Sequence, residues 1–178
     1  MMIGAVIVTT SFFSFVPTTK PTISSFKYYG DTKPFGYFDP LKLSTDKNTK
    51  YLREFELQHG RVAMIASVLI PAFELTKPGT LGINYLSEMD FNSQLPFWYV
   101  MALAEFFRMK TAWENPFGGK PLFTLKEDFQ PGNYFNYDAS KISEDTYNKE
   151  INNGRLAMLG AAHMVASEFL TNHPITSF

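Results

Sequence analysis

The chain has 178 residues, a formal net charge of -1 and no cysteine. That length supports one domain with a sizeable core, and the missing thiols exclude disulfides, thiolate metal sites, iron–sulfur clusters and a cysteine nucleophile. With no basic patch interleaved with aromatics, there is no electrostatic footprint for nucleic acid, which is set aside as a partner.

Residues 1–33 read as an N-terminal tail. The stretch "MMIGAVIVTTSFFSFVPTTKPTISSF" has no acid and its first base at Lys20, a hydroxyl-rich character compatible with a remnant of organelle targeting. The remaining residues, 34–178, form one domain with three apolar runs suited to helices, at about 50–75, 96–113 and 146–170. Segments rich in Pro, Gly, Asn and Asp separate them, "TKPGTLGIN" after the first run and "ENPFGGKPLF" and "QPGNYFNYD" before the third. The β signal is weak throughout, and the chain reads as all-α.

Hydropathy alone does not place these helices in water or in lipid. Mean hydropathy is -0.12, and no run holds 18 uninterrupted apolar residues. Charge placement decides. If each run spans a membrane, residues 20–53 and 108–149 share one face. They carry Lys20, Lys27, Lys33, Lys42, Lys47, Lys50 and Arg53, then Arg108, Lys110, Lys120, Lys126, Lys141 and Lys149. The opposite face receives only Lys77, which is the positive-inside pattern. The expectation is an all-α membrane protein with three transmembrane helices, the first and third related by a pseudo-two-fold repeat.

That repeat lies in "ELQHGRVAMI" (56–65) and "EINNGRLAML" (150–159), identical at five of ten positions. A shorter upstream echo pairs "GYFDP" from Gly36 with "GNYFNYD" from Gly132. Glu56, His59 and Arg61 fall at i, i+3 and i+5. At about 100° per residue, Arg61 points roughly 140° away from Glu56 and cannot easily neutralise it. Across a two-fold pair, Arg61 reaches Glu150 and Arg155 reaches Glu56, so buried charges would be neutralised between helices. Gly60 and Gly154, beside each Arg, permit close backbone approach. A Glu paired to Arg keeps free lone pairs, while His59 and Asn153 are neutral donors. That set suits the magnesium of a chlorophyll, which needs one axial ligand and carries no net charge in its macrocycle.

Residues from about 34 to 170 resemble the three-helix light-harvesting chlorophyll-binding proteins of plastids. The resemblance rests on "FGYFDPLKL", E-x-x-H-G-R-x-A-M at 56–64, E-x-x-R at Glu105–Arg108 and E-x-x-N-G-R-L-A-M at 150–158. It implies axial ligands to chlorophyll magnesium at Glu56, His59, Glu105, Glu150 and Asn153. It also implies two carotenoids, xanthophylls, in the grooves beside the crossed first and third helices. Two departures stand out: Ser167 occupies a position where the family usually has Gln or His, so that pigment is either lost or bound through water, and Phe97 replaces a second ligand on the middle helix. "FDPL" and "NNGRLAML" look more like algal antennae of the red lineage, and "LGINYLS" is similar to their chlorophyll a/b-binding-like subgroup.

The resemblance implies an antenna, not an enzyme, binding chlorophyll a, with chlorophyll c as a further candidate, together with carotenoids and lipid. It would lie in the plastid thylakoid membrane, N-terminus stromal and C-terminus lumenal, beside a photosystem core, with photosystem I favoured, and neighbouring antenna subunits. Quenching of excitation is the alternative within that class. Outside it, Glu56 with His59 is also the E-x-x-H of a di-iron bundle, but the second copy offers Asn153, a poor iron ligand. Glu105–Arg108 is by default an i,i+3 ion pair. His163 and Met64, Met158 and Met164 read as packing residues, and Pro71, Glu74 and Glu168 as interface or boundary features.

Overall fold

The "FDPL" turn launches the first helix. The computed structural model describes residues 28–32, 36–45, 48–115, 117, 119, 124–135, 137 and 143–176, so the proposed targeting stretch lies outside the described residues. The Asp39 carboxylate accepts the N–H groups of Leu43 (3.0 Å) and Ser44 (2.9 Å), folding the chain into the entry of helix α1, Thr49–Thr76. Helix α2 runs Phe91–Ala112 and α3 Glu144–Thr171, with a single 3-10 turn at Gly82–Asn84 between α1 and α2. At about 1.5 Å per residue, α1 and α3 are each roughly 42 Å long and α2 roughly 33 Å.

Two boundaries differ from the sequence reading. Helix α2 starts five residues before Pro96, because Asp90 caps it by accepting the Asn92 N–H at 3.1 Å and so carries the helix through the proline. Helix α3 likewise starts at Glu144 rather than at about 146, while α1 ends at Thr76 with Pro71 inside it, in line with the expected run of about 50–75. Helix α3 is closed at both ends, by Ser143 accepting the Thr146 N–H and by Asn172 in the left-handed region with its N–H on the Glu168 carbonyl.

Helices α1 and α3 run parallel and cross at Gly60 and Gly154. A Cβ built on Gly60 would lie 3.0 Å from the Gly154 Cα, and the converse distance is also 3.0 Å. No larger residue permits that approach. The pairing extends to both ends, and the repeat is longer than the ten matched residues: Glu74 and Glu168 occupy equivalent positions, both fully buried. Glu74 accepts the N–H groups of Ile175 and Thr176 beyond α3, and Glu168 that of Ile83 beyond α1. Each carboxyl therefore pins the segment that follows the other helix.

Polar groups are inside and apolar ones outside. Arg53, Glu54, Glu74 and Glu168 are buried, while Val62, Ile65, Val68, Leu156, Leu159, Phe169 and Leu170 are exposed. A protein folding in water hides its large apolar side chains. Among the described residues the clustered apolar core is small: Tyr29, Leu57, Tyr147 and Ile151, with the two tyrosine rings stacked at 4.5 Å. Among the described residues no helix is long and apolar enough to cross a membrane by mean hydropathy, because the charges that join α1 to α3 lie within the helices themselves.

Helix α2 stands apart. It makes no close backbone approach to α1 or α3, and only Ala112 of its residues is buried. Two polar bridges hold it: Gln58 donates to Glu105 at 3.0 Å, and the Arg108 guanidinium lies 3.8 Å from Glu54.

Candidate functional site

The site is organised about the crossing of α1 and α3. Arg61 Nε donates to Glu150 Oε1 at 2.7 Å, and Arg155 Nε donates to Glu56 Oε1 at 2.7 Å. Each Arg makes a second bond to a glycine carbonyl on a connecting segment, Arg61 to Gly132 and Arg155 to Gly30. Those glycines have φ of +84° and +87°, a conformation that turns the carbonyl inward and that side chains disfavour. The upstream echo of the repeat therefore falls on Gly30 with Gly132; Gly36, the sequence partner of Gly132, makes no equivalent contact.

The two-fold relation continues in the next contacts. The Gly132 N–H donates to Glu54 and the Gly30 N–H to Asn148, and Glu54 and Asn148 are again equivalent positions of the repeat. Residues 28–32, the end of the stretch read as a tail, are thus fastened to α3. The Glu54 carboxylate is fully buried, accepts the Tyr134 hydroxyl at 2.5 Å and faces Arg108. Burial first, and then the Glu54 charge, push the Tyr134 hydroxyl above its usual range, so it stays a donor. Sequence reasoning missed this network of Glu54, Gln58 and Tyr134. Its signal was present in "REFELQ", where Glu54 lies on the same strip as Gln58 and Arg61.

The candidate ligands divide into two kinds. Glu56, Glu105 and Glu150 are each neutralised by arginine: Glu56 by Arg155 and by Arg53 at 2.6 Å, Glu105 by Arg108 at 2.7 Å, and Glu150 by Arg61. His59 and Asn153 are exposed and uncharged donors on the flanks of the pair. The His59 Nδ1 bonds the Phe55 carbonyl at 2.8 Å, which fixes the ring and leaves Nε2 directed outward. Ser167 is half-buried, and Phe97 packs edge-on against Trp98 at 5.1 Å. His163, read as a packing residue, is instead exposed, because it lies opposite the strip Ile151, Gly154, Ala161 and Glu168 that meets α1.

Between α2 and the crossed pair lie two apolar clefts. One, of about 750 Å³, is lined by His59 and Glu105 and by Ala63, Ala66, Ala161 and Ala162. The other, of about 480 Å³, runs from Met101 and Phe107 to Tyr134 and Glu150. A lining of alanines beside a neutral donor fits a planar macrocycle or a polyene, and neutralised carboxylates fit a metal whose carrier already balances its charge. A di-iron centre needs several converging carboxylates and histidines, and among the described residues no three His, Asp or Glu side chains converge on one point.

Parallel helices crossed at glycines, locked by reciprocal ion pairs and separated from a third helix by apolar clefts, define a helical scaffold for bound cofactors rather than a catalytic bundle. The profile of the chlorophyll A-B binding protein family matches residues 26–169, and the chain belongs to that family. It is 35% identical over 157 residues to a chloroplastic fucoxanthin-chlorophyll a-c binding protein of Isochrysis galbana, covering 78% of this chain and 74% of that one. It is 30% identical to the chloroplastic light-harvesting complex stress-related protein 3.2 of Chlamydomonas reinhardtii, covering 79% of this chain and 62% of that one. Fucoxanthin-chlorophyll a-c binding protein E of Macrocystis pyrifera is also 30% identical, with 82% and 74% covered. The chain spans less than two thirds of the length of the stress-related relative.

Proposed function

We propose that this chain is a light-harvesting antenna of the chloroplast thylakoid membrane, which binds chlorophyll a, chlorophyll c and xanthophylls and passes excitation to a photosystem. The observation that carries this reading is the separation of α2 from the crossed pair, with apolar clefts lined by His59 and by arginine-paired carboxylates. Helices held apart with so little protein between them need other molecules to fill the space, and the names of the relatives supply the chemistry: chlorophyll a, chlorophyll c and fucoxanthin. In this reading Glu56, His59, Glu105, Glu150 and Asn153 hold chlorophyll magnesium, and lipid covers the exposed Val, Ile, Leu and Phe side chains. Bound chlorophyll supplies light absorption and excitation transfer. The chain's own part is to fix spacing and orientation, exclude water, and balance charge through the arginine pairs.

The inverted distribution of polar and apolar side chains supports three transmembrane helices, with the internal charges neutralised before they meet hydrocarbon. The basic segments also gather at one end. Lys50 Nζ donates to the carbonyls of Lys126 and Glu127, joining the entry of α1 to the connection between α2 and α3. In this reading the positive-inside rule makes that end stromal, with the start of α1 on the stromal side and the end of α3 on the lumenal side. Excitation transfer requires a neighbour, so the partners are a photosystem core and adjacent antennae. Photosystem I is the assignment we adopt. Mild-detergent fractionation of thylakoids should recover the chain with photosystem I; recovery only with photosystem II would reverse that assignment. The likeness to a stress-related relative favours dissipation as the second reading. Fluorescence lifetimes of the purified pigmented protein separate the two, since a dissipating protein shortens them and an antenna does not.

His59→Leu should remove about one chlorophyll per chain while leaving the helices formed, because one axial donor is lost and no interhelix bond breaks. Pigment extraction from the purified variant and the parent gives the count. An unchanged ratio would exclude His59 as a ligand.

A further inference from the structure

We infer that His163 is an additional axial ligand, holding one magnesium tetrapyrrole on the outer face of α3, and this inference rests on the pigment-binding reading above. His163 is exposed, has no hydrogen bond or ion pair among the described residues, and sits eight residues before the end of α3 at Thr171. Eight residues correspond to about 12 Å of helix, more than an imidazole can reach, so the ring cannot lift its polar atoms to the water at the helix end. An imidazole held in hydrocarbon with nothing to bond is costly. A ligand must therefore come to it.

The surface around the ring selects a flat occupant. One helical turn to either side, Gly160 and Ser167 lie on one flank of the ring, and Leu159 and Ala166 on the other, and a Cβ on Gly160 would meet nothing within 4 Å. Small residues on a helix flank leave a level platform on which a macrocycle can lie with its metal over the imidazole nitrogen. The occupant carries no net charge at its metal, because no carboxylate or guanidinium stands near His163 on the outer face of α3 to balance one. Magnesium in a chlorophyll-type ring meets both requirements and accepts a single neutral nitrogen. His163 is also ten residues beyond Asn153, about 15 Å along the axis, so two macrocycles fit on one helix without overlapping.

The test is reconstitution of the full chain with a chlorophyll and xanthophyll extract, followed by counting chlorophylls per chain. His163→Leu should bind one chlorophyll fewer than the parent, and His163→Gln should retain it because the amide oxygen can replace the imidazole. An unchanged count in His163→Leu overturns the inference, as does an equal loss in His163→Gln, which would mark a packing or protein-docking role. Failure of the parent chain to take up any chlorophyll would instead overturn the pigment-binding reading itself. The exposed position means that the substitutions leave the α1–α3 contact untouched, so each variant remains testable.

Discussion

Arg61→Leu should abolish assembly of the pigmented protein. The Arg61 guanidinium makes two bonds, to the Glu150 carboxylate and to the Gly132 carbonyl, and so ties α1 both to α3 and to the segment that closes over the pair. Removing it leaves Glu150 charged beside the helix crossing. Breaking a fully buried pair by deleting one partner costs about 3–5 kcal/mol, most of it from the charge left behind, and this half-buried pair stands at the lower end of that range. A domain of this size has a total stability of about 5–15 kcal/mol, so one substitution consumes a large part of the margin. The double variant Arg61→Gln with Glu150→Gln separates charge from shape. It strands no charge, keeps a hydrogen bond across the interface and leaves an amide oxygen where the carboxylate stood, so it should recover most of the yield and keep the pigment proposed for Glu150. Reconstitution yield and pigment count on both variants give the comparison. Normal assembly of Arg61→Leu would show that the reciprocal pairs do not hold the bundle.

Much of this interface was legible in the sequence because duplication is a spatial signal. Two copies of Glu, Gly and Arg at one spacing, on helices forced to run parallel, leave few ways to neutralise four charges, and the i, i+5 offset removes the local one. The parts that escaped notice had weaker local marks. Glu74 and Glu168 stand at the same offset as the matched motifs, but the residues between them diverge, and only the structure shows each accepting the N–H groups beyond the other helix. The middle helix was expected from about residue 96, where the apolar run begins, whereas it starts at Phe91 because the Asp90 cap lies upstream of that run. His163 was read as core because it is surrounded by apolar residues in sequence. In a helix whose apolar residues face outward and whose charges face inward, that reasoning runs backwards: an apolar neighbourhood marks the exposed side.

Gly154→Val should separate the crossed helices, and Gly160→Ala on the same helix should not. At Gly154 a Cβ would sit 3.0 Å from the Gly60 Cα and 3.6 Å from its carbonyl carbon, backbone atoms that cannot rotate away as a side chain can. The helices must move apart, and the Arg61–Glu150 and Arg155–Glu56 bonds, both 2.7 Å, span that same contact. Overpacking of a tight site costs about 1–3 kcal/mol before the loss of those bonds is counted. The two terms act together, and the pigmented protein should melt well below the parent temperature or fail to form. At Gly160 an added Cβ meets nothing within 4 Å, and replacing glycine by alanine within a helix favours folding by about 1 kcal/mol. Gly160→Ala should therefore melt at or slightly above the parent temperature. Thermal loss of visible circular dichroism on the three proteins reads out the difference. Equal melting of Gly154→Val and the parent would show that the two glycines are not in contact. The chain would then need another reason to place glycine before each arginine.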